Sequence, residues 1–145
     1  MGLRDALVGK RVYFDSNIFI YLIEGFRALE SQLLQLRDCI ASGESEIVTS
    51  ELTLCEVLVA PFRRNDNALA ARYRQFIEAS GAFNLLTTRR QTYVLASLYR
   101  AQFGMKTPDA VHMATATEAD CDVFVTNDTK IKAPRRMEVL SLSAA

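Results

Sequence analysis

The chain is 145 residues long, 50% hydrophobic and 23% charged, and its 17 basic and 17 acidic residues cancel. This composition excludes an intrinsically disordered protein and predicts one folded domain that spans residues 1–145. Zero net charge excludes the strongly basic balance of many small nucleic-acid-binding modules, so any polyanion must be bound by a local cluster of cations.

The sequence shows neither a targeting signal nor a pattern of reactive cysteines. Met1–Lys10 carries charges where a signal peptide has its apolar region, and no segment reaches the roughly 18 apolar residues of a membrane span. We therefore expect a cytoplasmic protein. Cys39, Cys55 and Cys121 are widely spaced without a Cys-x-x-Cys pair, so we expect buried free thiols rather than a zinc site or a nucleophile.

The first predicted strand ends at an acidic residue. Arg11–Phe14 is a short β-branched and aromatic run, and the Asp-Ser-Asn sequence that begins at Asp15 is typical of a strand end and a helix N-cap. A short helix over 18–24 follows, and then an amphipathic helix over 29–43 with leucine and isoleucine at helical spacing. Asp15 is therefore predicted at the carboxyl end of a strand.

A second acidic residue is predicted on a helix. Glu46–Thr49 is the next strand candidate, and Ser50 follows it as a helix cap. The helix is predicted to run through Glu56 to Ala60 and to stop at Pro61, which lacks the N–H that a helix interior requires. Glu56 is thus expected on the helix after the second strand.

The rest of the chain continues the alternation of helices and strands. The predicted elements are a helix over 68–79, a strand over 83–87, a helix over 89–103, a helix that begins at 107, a strand over 123–126 and a strand over 138–142. Thr107 gives its helix a hydroxyl cap, Pro108 takes the first position and Asp109 is an acid in the first turn. Asn127 and Asp128 end the strand over 123–126.

Alternating helices and short apolar strands predict an α/β fold in which helices cover both faces of a parallel sheet. In such sheets the ligand crevice lies beyond the carboxyl ends of the strands. Asp15 and Asp128 each follow a strand. Glu56 and Asp109 lie on helices that begin near that edge, so we expect the four acids to meet there.

Four carboxylates at one edge repel one another, and a cation would resolve this conflict. Oxygen donors suit Mg²⁺ or Mn²⁺ better than zinc, and such a cation can activate water and polarise a phosphodiester for hydrolysis. Each acid also has a simpler interpretation. Asp15 could only cap its helix, and Asp109 could only offset a helix dipole. Glu56 could complete a capping box that begins at Thr53.

Four short segments of the chain each contain one of these acids. They are Val12–Ile20, Ser50–Val57, Pro108–Ala116 and Val125–Asp128. In this order and spacing they resemble the PIN-domain nucleases, and in particular the VapC-type toxins of bacterial toxin–antitoxin pairs. The resemblance spans nearly the whole chain.

The resemblance implies a three-layer α/β/α fold with a five-stranded parallel sheet and a metal-dependent endoribonuclease activity on RNA. The catalytic and metal-binding residues that it implies are Asp15, Glu56, Asp109 and Asp128, with Mg²⁺ or Mn²⁺ as the cofactor. Asn17 and Thr126 match positions that orient the acids or bind water. The resemblance further implies a homodimer and, for a toxin, inhibition by a small antitoxin protein.

Two clusters of basic residues could bind the RNA backbone. One follows Asp128 and consists of Lys130, Lys132, Arg135 and Arg136. The other follows the helix of Glu56 and consists of Arg63, Arg64, Arg72 and Arg74. We take the first cluster as the candidate RNA-binding residues. His112 lies one turn beyond Asp109 and could reach the acids, but its apolar neighbours favour a histidine packed in the core.

Other functions remain open at this point. Phosphatases of the haloacid dehalogenase type also begin with a strand that ends in Asp, but the second Asp that they need, two residues later, is Asn17 here. No Gly-x-x-x-x-Gly-Lys-Ser/Thr loop supports nucleotide hydrolysis. A housekeeping RNA-processing nuclease of the same family, or an inactive module that only binds RNA or protein, is the alternative to a toxin.

Overall fold

Five strands form one parallel sheet in the order β3-β2-β1-β4-β5 in the computed structural model, which describes residues 2–142. The strands are β1 (Arg11–Phe14), β2 (Glu46–Ser50), β3 (Asn84–Leu86), β4 (Val123–Thr126) and β5 (Glu138–Ser141). The predicted α/β fold with a five-stranded parallel sheet is confirmed.

Helices precede β1 and connect the strands from β1 to β4, whereas a loop over 127–137 connects β4 to β5. The helices are α1 (Leu3–Leu7), α2 (Ser16–Glu24), α3 (Glu30–Ser42), α4 (Leu52–Val57), α5 (Val59–Arg63), α6 (Asn67–Arg74), α7 (Arg90–Phe103) and α8 (Thr107–Glu118). A 3₁₀ turn (Arg27–Leu29) precedes α3, and a π-helical turn (Gln75–Ala79) extends α6. Within residues 2–142, none of the helices has the length and apolar character needed to cross a membrane.

Two hydrophobic cores, one on each face of the sheet, hold the three layers together. Because side chains alternate along a strand, Val12 and Phe14 of β1 pack into the core formed with α2, α3 and α6. Tyr13 packs on the opposite face, in the core formed with α7 and α8. All three side chains are fully buried, as expected for a central strand of a parallel sheet.

Two predicted helix boundaries are wrong. The helix of Glu56 does not stop at Pro61, because the chain bends at Leu58 and starts a second short helix, α5. Pro61 then lies in the first turn of α5, where a helix has no use for the missing N–H. Thr107 is not the cap of α8 but its first residue, and Lys106 stands at the N-cap without a side-chain hydrogen bond.

Candidate active site

The strand order reverses direction at β1, which makes the border between β1 and β4 a switch point of the sheet. The chain leaves β1 towards β2 and β3 on one side and returns to β4 and β5 on the other. β1 and β4 are neighbours, and the backbone N–H of Asp15 donates to the Val125 carbonyl at 3.0 Å. Asp15 therefore lies at the carboxyl edge, where ligands of open α/β sheets bind.

The Asp15 carboxylate is buried, with 4% of its surface exposed, and is held by three donors. The Ser16 backbone N–H donates to Oδ1 at 2.8 Å, so Asp15 does cap α2. The Thr126 hydroxyl donates to Oδ2 at 2.8 Å, and the Asn17 amide donates to the same oxygen at 3.3 Å. These bonds supply hydrogen-bond partners to a carboxylate that has lost most of its water.

Asn17 and Thr126 also fix the loop that carries Asp128. The Thr126 hydroxyl oxygen accepts the backbone N–H of Asp128 at 3.1 Å, and Asn17 Oδ1 accepts the backbone N–H of Asn127 at 3.3 Å. Asp128 Oδ1 in turn accepts the backbone N–H of Lys130 at 2.9 Å. Thr126 thus joins Asp15 to Asp128, and Asn17 joins Asp15 to Asn127.

Glu56 reaches the same region from α4, where it contacts His112 of α8. His112 Nε2 lies 2.5 Å from Glu56 Oε1 and 3.7 Å from Asp15 Oδ1. Thr53 does not form a capping box with Glu56, because its hydroxyl lies 2.7 Å from that of Thr49 and it is not the N-cap of α4. His112 is fully buried, which confirms the packed histidine that its neighbours predicted, and its Nε2 also reaches Glu56.

Asp109 completes the group from the first turn of α8. Burial raises the pKa of its carboxyl above the ordinary value, and the charges of Asp15 and Asp128 raise it further. His112 lowers the pKa and Glu56 raises it by smaller amounts. The other three predicted acids therefore all lie close enough to Asp109 to raise the pKa of its carboxyl.

The chemistry of these side chains fits a hard divalent cation. Their donors are carboxylate oxygens, and the pKa of Asp109 is raised first by burial and then by the charges of Asp15 and Asp128, which a cation would neutralise. As their side chains stand, residues 2–142 contain no group of three or more His, Cys, Asp or Glu already arranged to hold a metal ion. Two of the acids are turned towards protein donors, Asp15 towards Thr126 and Glu56 towards His112.

The basic residues after Asp128 do not lie together. Lys130 and Lys132 are exposed in the loop that leaves the carboxyl edge. Arg136 lines a cavity with Cys121 and Asp122, which precede β4, and so lies at the amino-terminal edge of the sheet. Arg135, next to it in the sequence, is exposed. Because the chain crosses from one edge to the other before β5, we leave Arg136 out of the proposed RNA-binding surface.

The second basic cluster is partly used within the protein. Arg72 donates to the Ile23 carbonyl at 3.0 Å, and Arg74 pairs with Glu78 at 2.6 Å. These two cations therefore support the helices around α6. Arg63 and Arg64 are exposed at the end of α5.

The cysteines are free, but one differs from its prediction. Cys39 and Cys121 are buried, and burial raises the pKa of Cys121 to about 12, which makes it a poor nucleophile. Cys55 is exposed, because it lies on the solvent face of α4 beside Glu56. The prediction that all three thiols are buried is wrong for Cys55.

Comparisons with known proteins identify one family and several similar structures. The family model of the PIN domain matches residues 12–136 of this chain. A toxin–antitoxin complex from Klebsiella pneumoniae contains a similar chain, with a TM-score of 0.67 and 25% identity over 90% of this chain and 97% of that chain. VapBC2 from Rickettsia felis, solved with a DNA fragment from their promoter, shares the fold with a TM-score of 0.65 and 13% identity over the same shares. A comparison with curated proteins gives no match.

Proposed function

Because this chain belongs to the PIN-domain family, we propose that it is a metal-dependent endoribonuclease that hydrolyses RNA phosphodiester bonds. The proposal is supported by the position of Asp15 at the switch point and by the surroundings of Asp109, where burial raises the pKa and the charges of Asp15, Asp128 and Glu56 raise it further. Such a concentration of like charge costs stability, and a cation-dependent reaction gives a reason for it.

Each residue of the site has a proposed task. Asp15, Glu56, Asp109 and Asp128 would hold Mg²⁺ or Mn²⁺, which when bound supplies Lewis-acid polarisation of the scissile phosphodiester. Thr126 and Asn17 orient the Asp15 carboxylate through their hydrogen bonds. Lys130 and Lys132 bind the RNA backbone beside the acids, because they are exposed cations in the part of the loop that directly follows Asp128.

A cleavage assay tests the activity. Fluorescently labelled single-stranded RNA should be cut in the presence of Mn²⁺, and EDTA should stop the reaction. A matched DNA strand, which lacks the 2′-hydroxyl, should be cut much more slowly. RNA that is bound but left intact in Mn²⁺ would instead identify an inactive binding module, and equal cutting of DNA would remove the assignment to RNA.

We further propose that the nuclease is the toxin of a type II toxin–antitoxin pair in the cytoplasm. The similar chain from Klebsiella pneumoniae comes from a toxin–antitoxin complex, which supports a small protein partner here. Such a partner would place a helix in an apolar groove and a basic side chain among the acids. Expression of this chain alone should arrest growth, and co-expression of the adjacent small gene should relieve the arrest. Growth without arrest would favour a housekeeping nuclease.

The protein is also proposed to form a homodimer. Helix α7 presents Val94 and Leu98 to solvent, with 65% and 48% of their surfaces exposed, and a second copy would cover this apolar face. Light scattering should give the mass of a dimer, and Val94→Glu with Leu98→Glu should give a monomer. A monomeric wild-type protein would end this proposal without affecting the assignment of the acids.

A further inference from the structure

The single histidine of the chain connects elements that are far apart in the sequence. His112 Nδ1 lies 2.6 Å from the Tyr13 hydroxyl on β1, and Nε2 lies 2.5 Å from Glu56 Oε1 on α4. Tyr13 and His112 are both fully buried. Neither residue is one of the four acids, yet Tyr13 contacts His112 and His112 contacts Glu56.

The hydrogen-bond partners determine where the protons lie. An ionised Glu56 carboxylate only accepts hydrogen bonds, so His112 Nε2 must carry a proton. The Tyr13 hydroxyl lies 2.6 Å from His112 Nδ1, the imidazole nitrogen that does not face Glu56. With the imidazole proton on Nε2, Nδ1 is an acceptor, and the Tyr13 O–H donates to it.

Aromatic packing fixes the position of the Tyr13 hydroxyl. The Tyr13 ring stacks on Phe124 of β4, with centroids 5.1 Å apart and planes 8° apart. The ring meets His112 edge to face at a centroid distance of 5.7 Å. Two neighbouring strands of the sheet thus hold the donor that orients the imidazole.

The imidazole lies beside two of the acids. Nε2 is 2.5 Å from Glu56 Oε1 and 3.7 Å from Asp15 Oδ1, so one N–H faces two like charges that would otherwise repel each other. The bond to Glu56 uses one carboxylate oxygen, and a cation could bind through the other. A ligand carboxylate that is itself hydrogen-bonded has fewer orientations to lose on metal binding.

We propose that Tyr13 and His112 form a buried relay of positioning residues, in which Tyr13 fixes the orientation and the Nε2–H tautomer of His112, and His112 fixes Glu56 beside Asp15 for cation binding. The cation step rests on the proposed function. The hydrogen-bond relay itself exists in the metal-free protein and can be tested without RNA.

Nitrogen NMR of the untagged, EDTA-treated protein tests the relay, because the chain has one histidine and gives one imidazole spectrum. Near neutral pH we expect a protonated Nε2 and an unprotonated Nδ1 that accepts a hydrogen bond. Tyr13→Phe keeps the ring and should move the Nδ1 resonance towards that of a free unprotonated nitrogen. A protonated Nδ1 in the wild type, or an Nδ1 resonance that Tyr13→Phe leaves unchanged, would overturn the relay.

Manganese affinity tests what the relay does. Calorimetry without RNA should show affinity about 10-fold lower in Tyr13→Phe and up to about 100-fold lower in His112→Leu, the range found when outer-shell partners of metal ligands are lost. His112→Gln is the matched control, because its amide N–H can replace Nε2–H. It should restore most of the affinity, whereas a merely space-filling histidine would be replaced better by leucine.

The outcomes separate this inference from the proposed function. If Mn²⁺ affinity depends on Tyr13 and His112 as expected but the wild-type protein does not cut RNA, the proposed activity is wrong and the relay stands. Protein that cuts RNA, with equal Mn²⁺ affinity in the wild type, Tyr13→Phe and His112→Leu, would end the relay and leave the activity. If His112→Leu does not fold, Tyr13→Phe still decides, because it removes a single oxygen.

Discussion

At the amino-terminal edge of the sheet, Arg11 Nε contacts Glu46 Oε2 at 2.9 Å and the Arg11 backbone N–H donates to Asp122 at 2.9 Å. At the carboxyl edge, Asp109 instead lies in the field of Asp15 and Asp128, which add to the effect of burial on its pKa. Acidic residues contact an arginine at one edge and lie beside other acids at the other. Stability alone explains the first arrangement, whereas the second is typical of functional sites.

The largest expected effect is on cleavage, in Asp15→Asn. Asparagine is as good an N-cap as aspartate, so the protein should stay folded. The loss of anionic ligation should lower the cleavage rate by at least about 100-fold, the upper end of what the loss of an outer-shell partner costs. Rates measured with saturating Mn²⁺, together with circular dichroism, check both statements.

Asp122→Asn is the matched control at the other edge. It makes the same chemical change, and the amide oxygen can still accept the Arg11 N–H. Cleavage should remain at the wild-type rate. Equal rates for Asp15→Asn and Asp122→Asn would remove the functional difference between the two edges.

Local sequence signals predict well which acids lie at the carboxyl ends of strands. Asp15 and Asp128 were predictable because each ends a short apolar strand, and β4 has the predicted bounds Val123–Thr126. The pairing of Glu56 with His112 was not, because it depends on how α4 and α8 pack across 56 residues of sequence. The sequence accordingly favoured a packed His112 and left its reach to the acids open.

Tertiary packing also decides two features that the local sequence does not predict, the position of Arg136 at the amino-terminal edge and the short helix α1. Arg136 follows Lys130 closely in the sequence, and only the path of the chain to β5 separates them in space. Helix α1, Leu3–Leu7, was not predicted, since five residues give too short a stretch for helical periodicity. Its one buried residue, Leu7, reaches the core through tertiary packing.

Asp109→Asn should raise the melting temperature of the metal-free protein, whereas loss of a paired acid at the amino-terminal edge should lower it. The pKa of Asp109 is raised in the folded protein, so the native state holds this proton more tightly than the unfolded state does. Stability from this group therefore falls as the pH rises from the ordinary 3.8 through the folded-state pKa. In EDTA near pH 7, Asp109→Asn should melt above wild type, and the difference should vanish below pH 3.8.

Adding Mn²⁺ should reverse that ranking. A ligand that binds only the native state stabilises it by about 2.7 kcal/mol at a hundredfold excess over Kd, and the variant should lose most of this gain. Thermal melts with and without Mn²⁺ measure the change. Wild-type melting that ignores Mn²⁺, with Asp109→Asn no more stable in EDTA, would show that these acids do not form one metal site.

A smaller effect is expected on RNA binding when Lys130 and Lys132 are changed to glutamate. Each lost phosphate contact should reduce the slope of log K against log salt by about 0.7 for single-stranded RNA. Binding is best measured in Asp15→Asn, which leaves the RNA intact. Arg136→Glu carries the same charge change to the amino-terminal edge and should leave the slope unchanged. An equal response of all three variants would mean that net charge, rather than position, controls binding.

The smallest effect is expected for Glu46→Gln, which neutralises one carboxylate at the amino-terminal edge, as Asp109→Asn does at the carboxyl edge. Glu46 pairs with Arg11, and half of the Glu46 side chain is exposed, so its loss should lower the melting temperature only slightly. About 1 M salt shortens the Debye length to about 3 Å and should remove even this difference. The variant should bind Mn²⁺ and cut RNA as the wild type does.

Removing one negative charge should therefore change the melting temperature in opposite directions at the two edges. Glu46→Gln removes an attraction to a cation, whereas Asp109→Asn removes a repulsion between anions. A Glu46→Gln protein that melts above wild type in EDTA would show that relief of general negative charge, and not the local cluster, explains any gain in Asp109→Asn.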